Sequence, residues 1–116
     1  MIRRGDIHWV DFGRMRGAEA NERRPAVVVS NDTANLTATR LGRGVITVVP
    51  ITSNVQRVYR FQVGLRARDT GLDRDSKAQA EQVRSIDIER LGDRIGVVPG
   101  PLLDRLDDAL RLHLAL

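Results

Sequence analysis

Cysteine is absent from this 116-residue sequence, and lysine, tryptophan and tyrosine occur once each, as Lys77, Trp9 and Tyr59. Without cysteine there are no disulfides, no thiolate nucleophile and no zinc site built on sulfur. Histidine is nearly as scarce. His8 and His113 lie near opposite ends of the chain, so no metal site is expected. A two-histidine acid–base pair would require the fold to bring them together. With only Trp9, Phe12, Tyr59 and Phe61 as aromatics, the chain is poorly equipped as a platform on which bases stack. No apolar run approaches the roughly 20 residues of a membrane span. The charged start, Met1 to Asp6, passes directly into a strand-like segment, so no signal peptide and a cytoplasmic location are expected. A phosphate-binding glycine loop is also missing, because Gly42-Arg43-Gly44 leads into a strand and not a helix. With no repeat, low-complexity tract or linker, residues 1–116 read as a single domain.

Charge, in contrast, is plentiful and unevenly placed. The net charge is +4, yet residues 1–68 hold 12 basic and 5 acidic side chains, whereas residues 69–116 hold 7 and 10. A basic half suits a polyanionic partner, since cations that neutralise phosphates release condensed counterions. Of the 19 basic residues 18 are arginine; a guanidinium fork binds phosphate bidentately, but GC-rich codon usage produces the same preference.

Strand signals dominate the rest. Ile7–Phe12 is β-branched and aromatic. Gly13 to Arg24 reads as a long flexible loop. Pro25 suits the opening of a strand better than its middle, and Ala26–Val29 has buried-strand character. Ser30-Asn31-Asp32 breaks that strand and supplies N-cap residues, which predicts a short helical turn through about Leu36. Val45–Val49 is a further buried strand, followed by a polar turn at Thr52-Ser53-Asn54. Tyr59, Phe61, Val63 and Leu65 alternate with Arg60, Gln62 and Gly64, as a strand with one apolar face does. A charged loop, Asp69 to Asp75, precedes a thin strand at Ser76–Ala80. A last strand spans Ile95–Val98.

The final segment, Leu102–Leu116, has helical periodicity. Leu102, Leu103, Leu106, Ala109, Leu110, His113 and Leu114 share one side, and Pro101 and the early acidic residues suit its N-terminal turn. Leu112 and Leu116 widen the apolar arc to roughly 200°, which suits either a dimer or partner contact or a helix gripped on two sides. His113 is expected in the core or at an interface. Short strands followed by one helix predict a mainly β domain, a small curled sheet or barrel with a C-terminal helix packed on it.

Five blocks in order carry a specific resemblance: Gly5-Asp6-Ile7-His8-Trp9-Val10-Asp11-Phe12; Gly17-Ala18-Glu19; Arg24-Pro25-Ala26-Val27-Val28-Val29-Ser30-Asn31-Asp32; Val49-Pro50-Ile51-Thr52-Ser53-Asn54; and Gln79-Ala80-Glu81-Gln82-Val83-Arg84-Ser85-Ile86. Together with the C-terminal helix, they make the chain similar to the MazF/PemK family of toxin ribonucleases over nearly its whole length. The resemblance implies an SH3-like barrel that forms a homodimer. It implies metal-independent cleavage of single-stranded RNA (mRNA, tRNA or rRNA) at short sequences, by attack of a ribose 2′-OH on the adjacent phosphate. It also implies a groove at the dimer interface that a cognate antitoxin blocks with a disordered tail. No cofactor and no membrane enter this picture.

Carried over by motif, the catalytic residues are Arg24, directly before Pro25, and Thr52, in the Ile-Thr-Ser turn, with Glu19 at the acidic loop position. Arg23, Ser53, Asn54, Arg57, Lys77, Gln79 and Gln82 are the candidate RNA contacts. A guanidinium and a hydroxyl aimed at phosphoryl oxygens would stabilise charge that grows in the transition state. Taken alone, the same residues have plainer readings: Arg23 and Arg24 as charges balancing Glu19 and Glu22, Thr52 as a turn cap. Two departures from the family pattern are the doubled arginine at 23–24 and Ala18 where serine is common. The rival functions are a gyrase-poisoning toxin of the same fold and a non-catalytic RNA-binding barrel.

Overall fold

The computed structural model describes residues 1–14 and 21–116, so the expectations for Gly17, Ala18 and Glu19 lie outside the described residues. Seven strands form one strongly curled sheet: β1 (Asp6–Arg14), β2 (Asn21–Val28), β3 (Val45–Thr52), β4 (Gln62–Leu65), β5 (Ser76–Gln79), β6 (Arg84–Asp87) and β7 (Leu91–Val97). The path across the sheet runs β4-β5-β3-β2-β1-β7, every neighbouring pair being antiparallel. One edge of β3 is shared, since Val45–Val48 pairs with β6 and Ile51–Thr52 with β5. This is the mainly β barrel with a C-terminal helix that the sequence predicts.

Two cores lie on opposite faces of the sheet, as strand alternation requires. Ile7, Val27, Val49, Ile51, Val63 and Leu65 pack with Leu106 and Ala109 of the C-terminal helix, α3 (Gly100–Leu114). Val10, Ala26, Val28, Ile46, Val48 and Ile86 face Ala38 of α1 (Asp32–Leu41). The expected short turn after Ser30 is thus a full helix. Asn31 caps it by accepting from Ala34 N at 2.8 Å. Buried Asn35 donates to Ser30 O, while the Ser30 hydroxyl accepts from Thr47 N at 3.1 Å and ties α1 to β3. Its weak apolar periodicity, with only Asn35 and Ala38 buried, explains why the sequence understates its length.

The two ends of the sheet path meet where a second, one-turn helix, α2 (Ala67–Thr70), crosses β7. A Cβ at Gly96 would stand 2.0 Å from the Thr70 carbonyl oxygen, so the backbones touch at a point only glycine permits.

Further expectations are corrected. First, Gly13 to Arg24 is not all loop, because β1 runs on to Arg14 and β2 starts at Asn21. Second, β4 starts at Gln62, which is buried, whereas Tyr59 is exposed and stacks on Phe61 with centroids 5.3 Å apart. The alternation therefore holds only for Val63, Gly64 and Leu65. Third, α3 starts at Gly100, which leaves its first turn without acidic residues, and His113, exposed at its far end, is not in the core of the domain. β7 is also longer than Ile95–Val98, and β6 had no counterpart in the expected strands.

Candidate functional site

Pro25 determines where the site lies. Val29 N donates to Thr47 O at 2.9 Å, and the register then pairs Val28 with Val48, Val27 with Val49 and Ala26 with Pro50. In an antiparallel pair each strand donates to a given neighbour at every second residue. The donors toward β3 are therefore residues 29 and 27, and the next would be residue 25, facing Ile51. Proline has no N–H. Pairing between β2 and β3 stops there, while β2 continues alongside β1 through Arg24↔Val10 and Arg23↔Asp11.

Beyond that stop, Arg24 and Thr52 stand two residues past the Ala26–Pro50 pair, at the same register position and on the same sheet face. Both line a cavity of about 580 Å³, together with Trp9, Glu22, Arg23, Ser53 and Arg74. Residues from both faces reach it because it opens in the gap between the parted strands. Arg24 is held at both terminal nitrogens. Nη1 donates to Gln79 Oε1 at 3.2 Å, and Nη2 is ion-paired with the Glu22 carboxylate. Glu22 and Arg24 are two apart on a strand and so project to one side. Burial pushes the Arg24 guanidinium below its ordinary pKa, since desolvation penalises the charged form.

Arg23 projects to the other face, where its guanidinium lies 5.2 Å from the Trp9 ring centroid, a cation–π distance. Thr52 Oγ1 accepts from Asn54 N at 3.3 Å, and Asn54 Oδ1 accepts from Gln56 N at 3.3 Å, so both side chains shape the loop that follows β3. Ser53 is exposed at the cavity. Arg57 lies over Tyr59, 4.6 Å from its centroid. Lys77 is buried beneath that loop, where its Nζ donates to Arg57 O at 2.6 Å and lies 5.9 Å from the Tyr59 ring centroid. Gln82 is exposed on the turn after β5. Of the residues singled out by sequence, the structure gathers Arg23, Arg24, Thr52 and Ser53 around the cavity, with Gln79 reaching Arg24. It sets Asn54, Arg57, Lys77 and Gln82 away from it.

Glu22, Trp9, Asp73 and Arg74 border the cavity without having been singled out as site residues. Glu22 had a signal, since its i, i+2 relation to Arg24 places it beside the guanidinium once β2 is known to begin at Asn21. Trp9 is fixed opposite Pro25 by the β1–β2 register. Asp73 and Arg74, in a charged loop, had none. The histidines are far from this chemistry: buried His8 has Nδ1 at 2.9 Å from Gly92 O, and His113 lies beside Tyr59, Arg60 and Phe61. Among the described residues, no three His, Asp or Glu side chains gather as a metal would need.

A family model described as PemK-like, MazF-like toxin of type II toxin–antitoxin system matches residues 3–114. The chain belongs to that family. Endoribonuclease MazF9 of Mycobacterium tuberculosis is 65% identical over 116 residues, covering 100% of this chain and 98% of that protein. Endoribonuclease EndoA of Bacillus subtilis is 34% identical over 117 residues, covering 100% and 97%. The crystal structure of MazF from Deinococcus radiodurans superposes with a TM-score of 0.79 at 27% identity, covering 99% of this chain and 97% of that one. A mycobacterial endoribonuclease solved with its cognate antitoxin shares the fold, with a TM-score of 0.80 at 22% identity over 100% and 97%. The mainly β barrel is thus the fold of MazF-like toxins, and the chain is a member of a family of endoribonuclease toxins.

Proposed function

We propose that this MazF-like toxin cuts single-stranded RNA at short recognition sequences without a metal ion, and so arrests translation and growth. The ribose 2′-oxygen attacks the adjacent phosphorus as it loses its proton, the P–O5′ bond breaks, and the products are a 2′,3′-cyclic phosphate and a 5′-OH end. The observation that carries this reading is the placement of Arg24 and Thr52 at one register position on the wall of a single cavity. Charge grows on the phosphoryl oxygens during in-line transfer. Donors fixed before substrate arrives stabilise that charge more in the transition state than in the ground state. Arg24 is the electrostatic clamp and Thr52 a hydroxyl donor, with Ser53 beside it. A guanidinium is a poor proton acceptor, so the base role goes to Glu19, for which an acidic limb in the pH–rate profile that disappears in Glu19→Gln is the expected sign.

Arg23, at the cavity, and Asn54, Arg57 and Gln82, away from it, are the RNA contacts, Gln79 supports Arg24, and Lys77 acts through its loop. The toxin works as a homodimer in the cytoplasm, restrained by an antitoxin. Two observations support the dimer and the antitoxin: the exposed Leu112, Leu114 and Leu116 of the C-terminal segment, and the solved MazE–MazF complex of Deinococcus radiodurans.

The test is to incubate the protein with mixed-sequence single-stranded RNA in EDTA and map the ends. Discrete cuts bearing 5′-OH termini are expected, and both Arg24→Ala and Thr52→Ala are expected to weaken them, Arg24→Ala the more, without unfolding the protein. Intact RNA accompanied by inhibited gyrase would favour a gyrase poison instead, and RNA bound but uncut a non-catalytic barrel.

A further inference from the structure

We propose that Glu22 and Gln79 form a two-point clamp that fixes the Arg24 guanidinium in its working orientation, with Glu22 a positioning residue for the phosphate contact. This inference rests on the ribonuclease reading above and extends it. An arginine side chain is long and flexible, and holding it in one pose against its rotamer freedom needs fixed partners. Arg24 has two such partners, on different strands. Glu22 is on β2 itself and engages Nη2, while Gln79 ends β5 and engages Nη1 at 3.2 Å. Two anchors at the two ends of a planar group set its plane as well as its position. Each terminal nitrogen carries two N–H groups, so one on each, together with Nε–H, is left for phosphate oxygens.

The carboxylate has a second role that the amide cannot fill. Arg24 is partly withdrawn from water, and a nearby anion offsets the cost of keeping a desolvated cation in place while the site is empty. Glu22 supplies that charge from the cavity wall. The clamp also gives Gln79 a role despite its absence from the cavity lining, since it acts on the site through Arg24. An alternative is that the Glu22 carboxylate merely occupies the place of the phosphate and must be displaced. The two readings predict opposite effects of removing it.

The experiment combines nitrogen-15 spectra of the arginine side chains in the free protein with cleavage kinetics in EDTA, using Glu22→Ala, Glu22→Gln and Gln79→Ala. Arg24→Ala identifies the Arg24 signals. In the wild type the two Arg24 Nη resonances should be separate, because rotation of the group is restricted. They should merge in Glu22→Ala and stay partly resolved in Glu22→Gln, which keeps an acceptor oxygen. Cleavage by Glu22→Ala should show kcat lowered on the order of 10- to 100-fold with KM little changed, Glu22→Gln lying between it and the wild type. Far-UV spectra and the melting temperature check that each variant is folded. Unchanged Nη resonances in Glu22→Ala, or cleavage with kcat retained and KM lowered, would overturn the proposal. Merged Nη resonances in the wild type would overturn the clamp alone, whereas RNA left intact by the wild type overturns the ribonuclease reading and with it the catalytic role of the clamp.

Discussion

From Ala26 to Val28 and from Val48 to Pro50, strands β2 and β3 are buried and joined by a hydrogen-bond ladder. A few residues away, from Glu22 to Arg24 and from Thr52 to Asn54, the same two segments are polar, partly exposed and no longer paired with each other. One stretch holds the sheet together and the other holds a guanidinium and a hydroxyl over a cavity, with Pro25 between them. Stability and chemistry therefore share strands but not residues, and each should be breakable without the other.

The largest separation is expected from Arg24→Ala, which should lower cleavage by about a thousandfold, the upper end of what one oxyanion donor contributes, and leave the melting temperature unchanged. A melting temperature that falls with it would mean that Arg24 also supports the fold. The converse is Ile46→Ala on the paired side. Ile46 is fully buried, and its truncation should cost about 3 kcal/mol of stability in denaturant titrations, with the cleavage rate of the remaining folded protein unaltered. Thr52→Val keeps shape and removes the hydroxyl; about 2 kcal/mol of transition-state stabilisation should go with it, seen in kcat and not in unfolding. Lys77→Met tests the boundary between the two regions. Loss of its bond to the Arg57 carbonyl should cost about 1 kcal/mol of stability and, through the loop that follows Thr52, shift the cut-site preferences in end mapping. Asn31→Ala, remote from the site, should cost up to about 1 kcal/mol through the α1 cap and leave cleavage as it is.

The paired region was the legible one. Ala26–Val29 and Val45–Val49 read as buried strands from composition alone, and the structure buries Ala26–Val28 and Val48–Val49 at the centre of the sheet while leaving Val45 exposed. The unpaired region was legible only through its motifs. Arg24 stands out by its place before Pro25 and Thr52 by its place after Ile51, but neither residue type announces a strand. Glu22 and Arg23 read as loop because period-two alternation disappears when both faces of a strand end are polar. The same reason hides β6, where Ile86 is the buried residue of four. Tyr59 misled in the opposite direction: the alternation that begins there belongs to a strand only from Gln62, and the two rings stack on each other outside it. Lys77 has the charge of an RNA contact, and only tertiary structure shows its ammonium covered by the Arg57–Tyr59 loop.

The contact at Gly96 bears on how the cavity can move. Leu72, Asp73 and Arg74 form one wall of it and Ile95 part of another, and these segments are held backbone to backbone where Gly96 meets Thr70 and Gly71. Remote in sequence, they must open together or not at all, as one cooperative unit whose amides should exchange with solvent in concert. That side of the cavity behaves as a fixed jaw. Across the cavity, the loop from Ser53 to Tyr59 is held instead by a side chain, through the bond from Lys77 to the Arg57 carbonyl.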